Sequence, residues 1–450
     1  MTDTSRIFRV AARSLVRQRR FTAFSVATLA LGLAVATTFF SIFDTVLLRS
    51  LAYEDAGQLV VMLEPGRSPT SPANFADVKE RSRSLQRLTA AHPWSPVLRG
   101  DGPAERISAL RTSTDLFELL RARPLLGQTY VAGPVRAPGE RVVVLGHGLW
   151  QRRFGGAPDI VGRQLGLDGD LFTVIGVMPE GFEFPPFWST GAELWAPIAG
   201  DDAFWERRGF NALRVFARLA PGVEVSAAQQ EIERLTEALR AEHPDDNEHL
   251  TYRVEPLSEP VVEGVRPALQ TIFFGVGLVL LIAAANVAGL WLTRTASRGP
   301  ELAIRKALGA PSWALWRQGL AESLCVVALA AVLGWQLALW ALEAIKALAP
   351  AGVPRLQESS LDLRVLAFTA GVSAVLAAAF ATILPLGGRR RPGAALAGGV
   401  RRVGDRHESA GRSWLVTLEI AMAVLLVLCS GLVAQSLGNL WRTDSGLRSE

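Results

Sequence analysis

The chain of 450 residues is 49% hydrophobic and only 20% charged. A soluble globular domain carries about 25% charged residues, so this balance argues against a purely soluble protein. A disordered chain is also excluded, because disorder requires too little apolar surface to form a core. The net charge of +5 rests almost entirely on arginine, since only Lys79, Lys306 and Lys346 are lysines.

Motifs for catalysis and nucleotide binding are missing from the sequence. A P-loop needs lysine directly after glycine, whereas Val78, Arg305 and Ile345 precede the three lysines. The sequence has no HExxH, GxSxG or CxxC motif, and its five histidines lack metal-ligand spacing. We therefore expect no enzyme activity, no bound cofactor or metal, and no ATP site in this chain.

Five uncharged stretches are long enough to cross a bilayer, which takes about 20 residues of helix. They cover residues 21–43, 267–293, 323–342, 365–388 and 420–441. A buried helix of a soluble protein rarely has such a long apolar run. The sequence therefore predicts an α-helical integral membrane protein with five transmembrane helices.

The orientation follows from arginine and lysine in the short flanks, because these residues stay on the cytoplasmic side. Basic residues are dense before the first span, between the second and third spans, and after the fourth span. The loop between the third and fourth spans has few. We expect a cytoplasmic N-terminus, with residues 49–266 outside the cytoplasm. The first apolar run is too long for a signal peptide, so it reads as an uncleaved anchor.

The spans contain no central acidic or basic side chain, which argues against an ion or proton pathway. Asn286 is the strongly polar residue deep in a span. An interhelical hydrogen bond is its favoured role, with a substrate contact as the alternative.

The segment 49–266 reads as a mixed α/β domain. Six short runs rich in β-branched residues predict strands, at 58–64, 141–147, 171–178, 193–198, 213–219 and 252–257. A helix is predicted from Ser226, where Ser226 and Gln229 fit a capping box. Its apolar stripe is most simply a core face, and consists of Ala228, Ile232, Leu235 and Leu239.

An aromatic stretch, MPEGFEFPPFWSTGAELW, covers residues 178–195. Exposed aromatic loops can bind a ligand or partner. The favoured alternative is a loop that packs over the sheet.

The loop between the second and third spans contains a short amphipathic helix. Pro300 suits a first helical turn, Glu301 and Arg305 form an i,i+4 pair, and Gly309 and Pro311 supply a stop. Such a helix can rest in the lipid headgroups or dock into a groove of a cytoplasmic partner. The physical chemistry leaves both open.

The segment ELAIRKALGA resembles the coupling-helix motif of the MacB/FtsX-like ABC transporter permeases, whose order of spans and extracytoplasmic domain this chain shares. The family includes macrolide exporters, lipoprotein-release permeases and the cell-division permease. The resemblance implies that five residues contact a separate ABC ATPase, namely Glu301, Ile304, Arg305, Gly309 and Ala310. Alanine at position 303 departs from the motif, while Ile304 keeps its second apolar position.

Segments such as VVVLGHGLWQRRFGG and FTVIGVMPEGFEFP look like the duplicated orphan permeases of acidobacteria. Those relatives carry two copies of the unit, and this chain resembles one copy plus the first span of the second. We therefore expect a truncated or split product, or one half completed by a second polypeptide.

The apolar runs and basic flanks, together with the resemblance, give the expected domain order. It comprises a basic cytoplasmic N-terminus (1–20), a first span (21–48), an extracytoplasmic domain of the MacB periplasmic-core type (49–266), a second span (267–293), a cytoplasmic loop with the coupling helix (294–322), a third span (323–344), an extracytoplasmic loop (345–364), a fourth span (365–388), a basic cytoplasmic linker (389–412), a fifth span (413–441) and an extracytoplasmic tail (442–450).

The implied function is that of a non-catalytic permease subunit in the inner membrane. It transmits ATPase movement across the bilayer for export or mechanotransmission, with ATP used only by the separate ATPase. The expected partners are that ATPase, a second permease unit and the lipid bilayer, with a periplasmic adaptor as a candidate and nucleic acid excluded. The alternative is a membrane-anchored receptor or scaffold that regulates an envelope protein without transport. The substrate and its direction are not encoded in any motif.

Overall fold

A computed structural model describes most of the chain. The described residues are 9, 11, 13–100, 102–131, 141–184, 191–198, 202–263, 265–298, 304, 308–309, 311–348, 355–383, 417–428 and 431. They form two compact units, one of Arg49–Gly264 and one of Met1–Leu48 with Val265–Glu450. The predicted domain boundaries at 49 and 266 stay predictions.

The unit Arg49–Gly264 is built on one mixed sheet of twelve strands, in the order β12-β1-β11-β2-β5-β10-β7-β9-β8-β3-β4, with β6 beside β9. The strands are β1 Leu59–Leu63, β2 Leu85–Trp94, β3 Val97–Gly100, β4 Gly102–Arg106, β5 Ala109–Thr112, β6 Leu126–Gly127, β7 Val142–Leu145, β8 Gln164–Leu167, β9 Asp170–Val177, β10 Leu194–Pro197, β11 Arg214–Leu219 and β12 Arg253–Pro256. All residues of β1 are buried, which fits its place between two strands. Pairing is parallel in β5–β10 and β7–β9.

Helices of both units are numbered along the chain. They are α1 Arg19–Phe43, α2 Pro72–Arg81, α3 Leu116–Leu120, α4 His147–Phe154, α5 Asp202–Trp205, α6 Val225–Glu242, α7 Pro244–Asn247, α8 Ser258–Glu263, α9 Arg266–Ser297, α10 Ser312–Leu348 and α11 Leu363–Ala381.

The six predicted strands are confirmed as β1, β7, β9, β10, β11 and β12. The other strands carry weaker sequence signals. β2 includes His92 and Pro93, and β4 is the exposed segment GPAER. Their pairing depends on neighbouring strands and not on local hydrophobicity, since β propensity is strongly dependent on context.

The predicted capping box at Ser226 is wrong. Helix α6 starts one residue earlier, and its N-cap residue Glu224 makes no side-chain capping bond. The first turn closes through the backbone, because the Ala228 amide donates to the Glu224 carbonyl at 3.1 Å. The Gln229 side chain pairs instead with β12, where its Oε1 accepts from the Val254 amide at 2.6 Å. The apolar stripe does face the core, as predicted.

The described part of the aromatic stretch packs over the sheet. Phe182 lies 5.1 Å from Trp195 between ring centroids, and Phe184 lies 4.8 Å from Phe216. Phe184 and Trp195 are buried. These contacts favour a structural role for this part, while residues 185–190 lie outside the described residues.

The other unit contains four described helices that are long and apolar enough to cross a membrane: Arg19–Leu48, Arg266–Ser297, Trp313–Leu348 and Leu363–Ala381. The first of these joins α1 to a π-helix, Asp44–Leu48. Helices α9 and α10 extend into the predicted loop 294–322 and shorten it. The count of five spans is not confirmed, because the described part of the fifth is the short helix Thr417–Leu428.

Helix α1 is the central helix of this unit and packs against α9, α10 and α11. Close approach requires small residues: a Cβ at Gly334 would lie 2.9 Å from the Ala30 carbonyl oxygen. Hydroxyl pairs add to this packing, such as Thr37 with Thr369 at 2.9 Å between their Oγ1 atoms. Asn286 lies exposed on α9, so its interhelical hydrogen bond stays a prediction.

Candidate functional site: the segment between helices α9 and α10

The predicted coupling segment lies between the end of α9 and the start of α10. Ile304 is helical, and the Leu308 amide donates to the Ile304 carbonyl at 3.0 Å, which is one α-helical turn. Gly309 follows with φ +88°, the left-handed conformation that ends many helices and favours glycine. Glu301, Arg305 and Ala310 lie outside the described residues.

Apolar side chains of this segment face outward. Ile304 is 62% exposed and Leu308 is 83% exposed. Trp313, at the start of α10, is also exposed and stacks on Trp316 with ring centroids 5.1 Å apart. Exposed apolar groups of this kind mark contacts with a partner or with lipid. The geometry is therefore consistent both with docking onto a cytoplasmic partner and with a position in the lipid headgroups.

A buried cluster of charges joins the two helices that flank the segment. Glu322 of α10 pairs with Arg294 of α9 at 3.1 Å and with Arg298, the residue that caps α9, also at 3.1 Å. Side-chain exposure is 1% for Glu322 and 6% for Arg294. We call Arg294, Arg298, Glu322 and Ser14 the ion-pair cluster.

Ser14 connects the N-terminal part of the chain to this cluster. Its hydroxyl oxygen accepts hydrogen bonds from Arg294 at 2.8 Å and from Arg298 at 2.5 Å. The cluster thus joins the helical residues before α1 to the end of α9 and to Glu322 within α10. A movement of the segment 299–311 is therefore expected to reach all three helices together.

Two aromatic rings lie against the guanidinium group of Arg294. The Arg294 guanidinium carbon lies 4.7 Å from the ring centre of Phe21 and 5.6 Å from that of Trp291. Cation–π contact of this kind is strongest where water is excluded. Trp291 is fully buried and stacks on Phe380, so the cluster rests on a rigid apolar base.

The sequence analysis missed this cluster. It treated Arg294 and Arg298 only as basic flanks that set the orientation, and it did not single out Glu322. A signal was present, because opposite charges stand at the facing ends of two consecutive spans. Burying either charge alone is costly, so the ends of such a helical hairpin are expected to pair.

Histidine and carboxylate groups elsewhere do not assemble into a metal site within the described residues. His147 lies beside Trp150, with ring centroids 5.4 Å apart. Burial lowers the pKa of His92. Neither arrangement brings a nucleophile, a base and an oxyanion donor together among the described residues.

Two family models match the chain in sequence. The MacB-like periplasmic core domain matches residues 22–235, and the FtsX-like permease C-terminal domain matches residues 273–389. Found in this order in one chain, the two domains support the MacB/FtsX-like permease family. The second match contains the whole segment 299–311 and the cluster residues of α9 and α10.

Three solved structures of single domains are similar to parts of this chain. A permease-protein domain from Porphyromonas gingivalis is 15% identical, with a TM-score of 0.37, and covers 45% of this chain and 92% of its own. The periplasmic region of MacB from Actinobacillus actinomycetemcomitans is 14% identical, with a TM-score of 0.35, and covers 47% and 94%. The extracellular domain of the ABC-type transporter YknZ from Gram-positive bacteria is 14% identical, with a TM-score of 0.32, and covers 44% and 99%.

A comparison with curated proteins finds no match. The family assignment therefore rests on the two family models. Members of the MacB/FtsX-like family are permease components of transporters, are not typically enzymatic, and work with an ABC ATPase. Four helices of the described residues are long and apolar enough to cross a membrane, and together with the family models they support a multi-pass membrane permease.

Proposed function

We propose that this chain is the transmembrane subunit of an ABC transporter in which the segment 299–311 docks onto a cytoplasmic ATPase. Within the segment, Glu301, Ile304, Arg305, Gly309 and Ala310 are the proposed contact residues. The observation that carries the proposal is the ion-pair cluster, because it ties the end of α9, directly before the segment, to Glu322 inside α10, the helix that follows the segment. An anchored segment can pass force to the spans, whereas a loosely tethered one cannot.

The exposed face of the segment supports docking. Ile304 and Leu308 present apolar groups outward, and Arg305 and Glu301 add charge next to them in sequence. Amphipathic helices of this composition commonly bind in a groove of a partner.

In the proposed mechanism, closure of the ATPase dimer moves the segment, and the cluster moves α9, α10 and the N-terminal helix as one body. The movement continues along the chain to the domain Arg49–Gly264, which connects to the membrane unit at both of its ends. No charged side chain lies at the centre of the described long apolar helices. This favours helices that transmit movement over helices that line an ion or substrate pathway. Two ATPase subunits require two coupling segments, so we propose a second permease unit, as in the duplicated acidobacterial permeases.

The test is co-purification of the ATPase with the full chain from native membranes. We expect Arg305→Glu to abolish co-purification, because reversing this charge opposes an acidic contact on the partner. Arg240→Glu, which reverses an exposed charge of α6, is the matched control and should leave co-purification unchanged. Full retention of the ATPase by Arg305→Glu would rule out docking through this face.

A further inference from the structure

A cavity of about 570 Å³ in the domain Arg49–Gly264 is lined by four arginines. They are Arg87, Arg121, Arg123 and Arg218, and the acidic members of the lining are Glu54 and Glu118. Small-molecule sites typically enclose about 300–1,000 Å³, so the cavity has the size of a ligand site. Four guanidinium groups against two carboxylates leave its lining net positive.

Arg218 forms the buried base of this arginine cavity and is 5% exposed. It donates to neutral carbonyl oxygens, at 2.8 Å to Leu119 and 2.9 Å to Glu54. Burial and the positive charge of Arg121 lower its pKa, yet arginine stays protonated in proteins. All three guanidinium nitrogens of Arg218 donate to neutral oxygens, so it contributes positive charge to the cavity, offset in part by nearby Asp55 and Glu54, and no free donor.

Arg87 and Arg121 stand where the backbone favours glycine. Arg87 has φ +50° within a β-bulge of β2, and Arg121 has φ +52° directly after α3. Side chains are disfavoured in this left-handed conformation. Bulges often redirect a side chain beside a functional site, and strained residues collect at ligand sites.

Ion pairs do not explain why arginine occupies these two positions. Arg87 pairs with Glu118 at 3.0 Å and is 53% exposed. Arg121 pairs with Asp55 at 2.6 Å and with Glu54 at 2.8 Å and is 40% exposed. Exposed ion pairs of this kind add little stability. A protein with glycine at these two positions should therefore be at least as stable. What the two arginines add is positive charge around the cavity.

Arg123 completes the lining. It is exposed and has no ion-pair partner among the described residues. We propose that the cavity binds a small organic anion through a carboxylate or phosphate group, held by Arg87 and Arg123 above the base formed by Arg218. Guanidinium forks match both groups with paired, charge-assisted hydrogen bonds. The site does not depend on the proposed docking of an ATPase.

The experiment is calorimetric titration of the purified full chain in detergent at low salt, with citrate in one arm and inorganic phosphate in the other. We expect saturable binding of at least one probe, and the stronger arm identifies the preferred group. Arg123→Gln and Arg87→Gly should each weaken that binding by about fivefold or more, because each removes a charge-assisted contact. Arg234→Gln, an exposed substitution on α6 away from the lining, is the control and should bind as the wild type does.

A melting measurement on the same variants separates a binding role from a structural one. Arg87→Gly should melt at the same temperature as the wild type or higher, because glycine relieves the left-handed backbone. Three outcomes would overturn the proposal: no saturable binding of either probe, unchanged binding in Arg123→Gln and Arg87→Gly, or an equal loss in Arg234→Gln.

Discussion

The two units of this permease place their buried charges differently. In the domain Arg49–Gly264, buried and half-buried charges hold both backbone and side-chain groups: Arg218 donates to carbonyls, Glu231 accepts from the amides of Arg83 and Ser84 at 2.8 Å each, and Asp115 pairs with Lys79. In the helical unit, the buried charges of the described residues belong to the ion-pair cluster of α9 and α10 and to Asp44, whose carboxylate lies 3.9 Å from Arg364. The rest of its described interior is held by close packing and hydroxyl groups.

The difference follows from the surroundings of each unit. A water-exposed domain gains stability whenever apolar surface is buried, so its charges are free to organise loops. Helices in lipid gain little from burying apolar groups against each other, and they depend on small residues and on rare polar contacts. A charge pair kept inside such a unit is therefore expected to have a mechanical role.

The largest effect is expected from neutralising the ion-pair cluster. Glu322→Gln keeps the shape of the side chain but leaves the buried Arg294 and the half-buried Arg298 without a counter-charge, and stranding a buried charge costs about 3–5 kcal/mol. The apparent melting temperature of the purified full chain in detergent should fall steeply. Glu343→Gln, which removes an exposed carboxylate paired with Lys346 on the same helix, is the control and should have little effect. Equal melting of the two variants would show that the cluster contributes no stability.

A smaller loss is expected from Gly334→Ala, which tests packing. The new Cβ would press on the Ala30 carbonyl oxygen of α1, and overpacking costs about 1–3 kcal/mol. Gly371→Ala, where the added Cβ meets open space, is the matched control. It should be neutral or stabilising, because alanine favours helix by about 1 kcal/mol over glycine. Opposite shifts in melting temperature are predicted, and equal shifts would argue against close packing of α1 and α10.

The smallest effect is expected in the domain, from Glu231→Gln. Burial by itself would raise the pKa of Glu231, but hydrogen bonds from Ser84, Arg83 and Ser82 together lower it. A lowered pKa adds stability above the ordinary value of 4.5, and this stability is lost as pH falls through the folded pKa. The variant should lose about 1 kcal/mol at neutral pH. Its deficit should shrink below about pH 4.5, and a deficit that is constant with pH would contradict the role of the charge.

Elements that depend on a local sequence pattern were predicted correctly. The long apolar runs predicted the four long helices of the described residues, and β-branched runs such as LVVML of β1 predicted the central strands. Contacts that join distant segments were harder to predict. The opposite charges of Glu322 and Arg294 gave a signal that the analysis did not use. The weak strand β4 is paired with β3, and the start of α6 depends on backbone geometry at Glu224, and local pattern shows neither. The left-handed backbone of Arg87 likewise depends on the register of β2 against β11.

The most direct test of the proposed function is the side of the membrane on which the coupling segment lies. In a background without Cys325 and Cys429, single cysteines replace Leu308, which is 83% exposed, or Glu237, exposed on α6. Intact cells are then treated with a thiol reagent that cannot cross the membrane. The account predicts modification of Glu237→Cys in intact cells and of Leu308→Cys only after lysis. Modification of Leu308→Cys in intact cells, with Glu237→Cys protected until lysis, would contradict it.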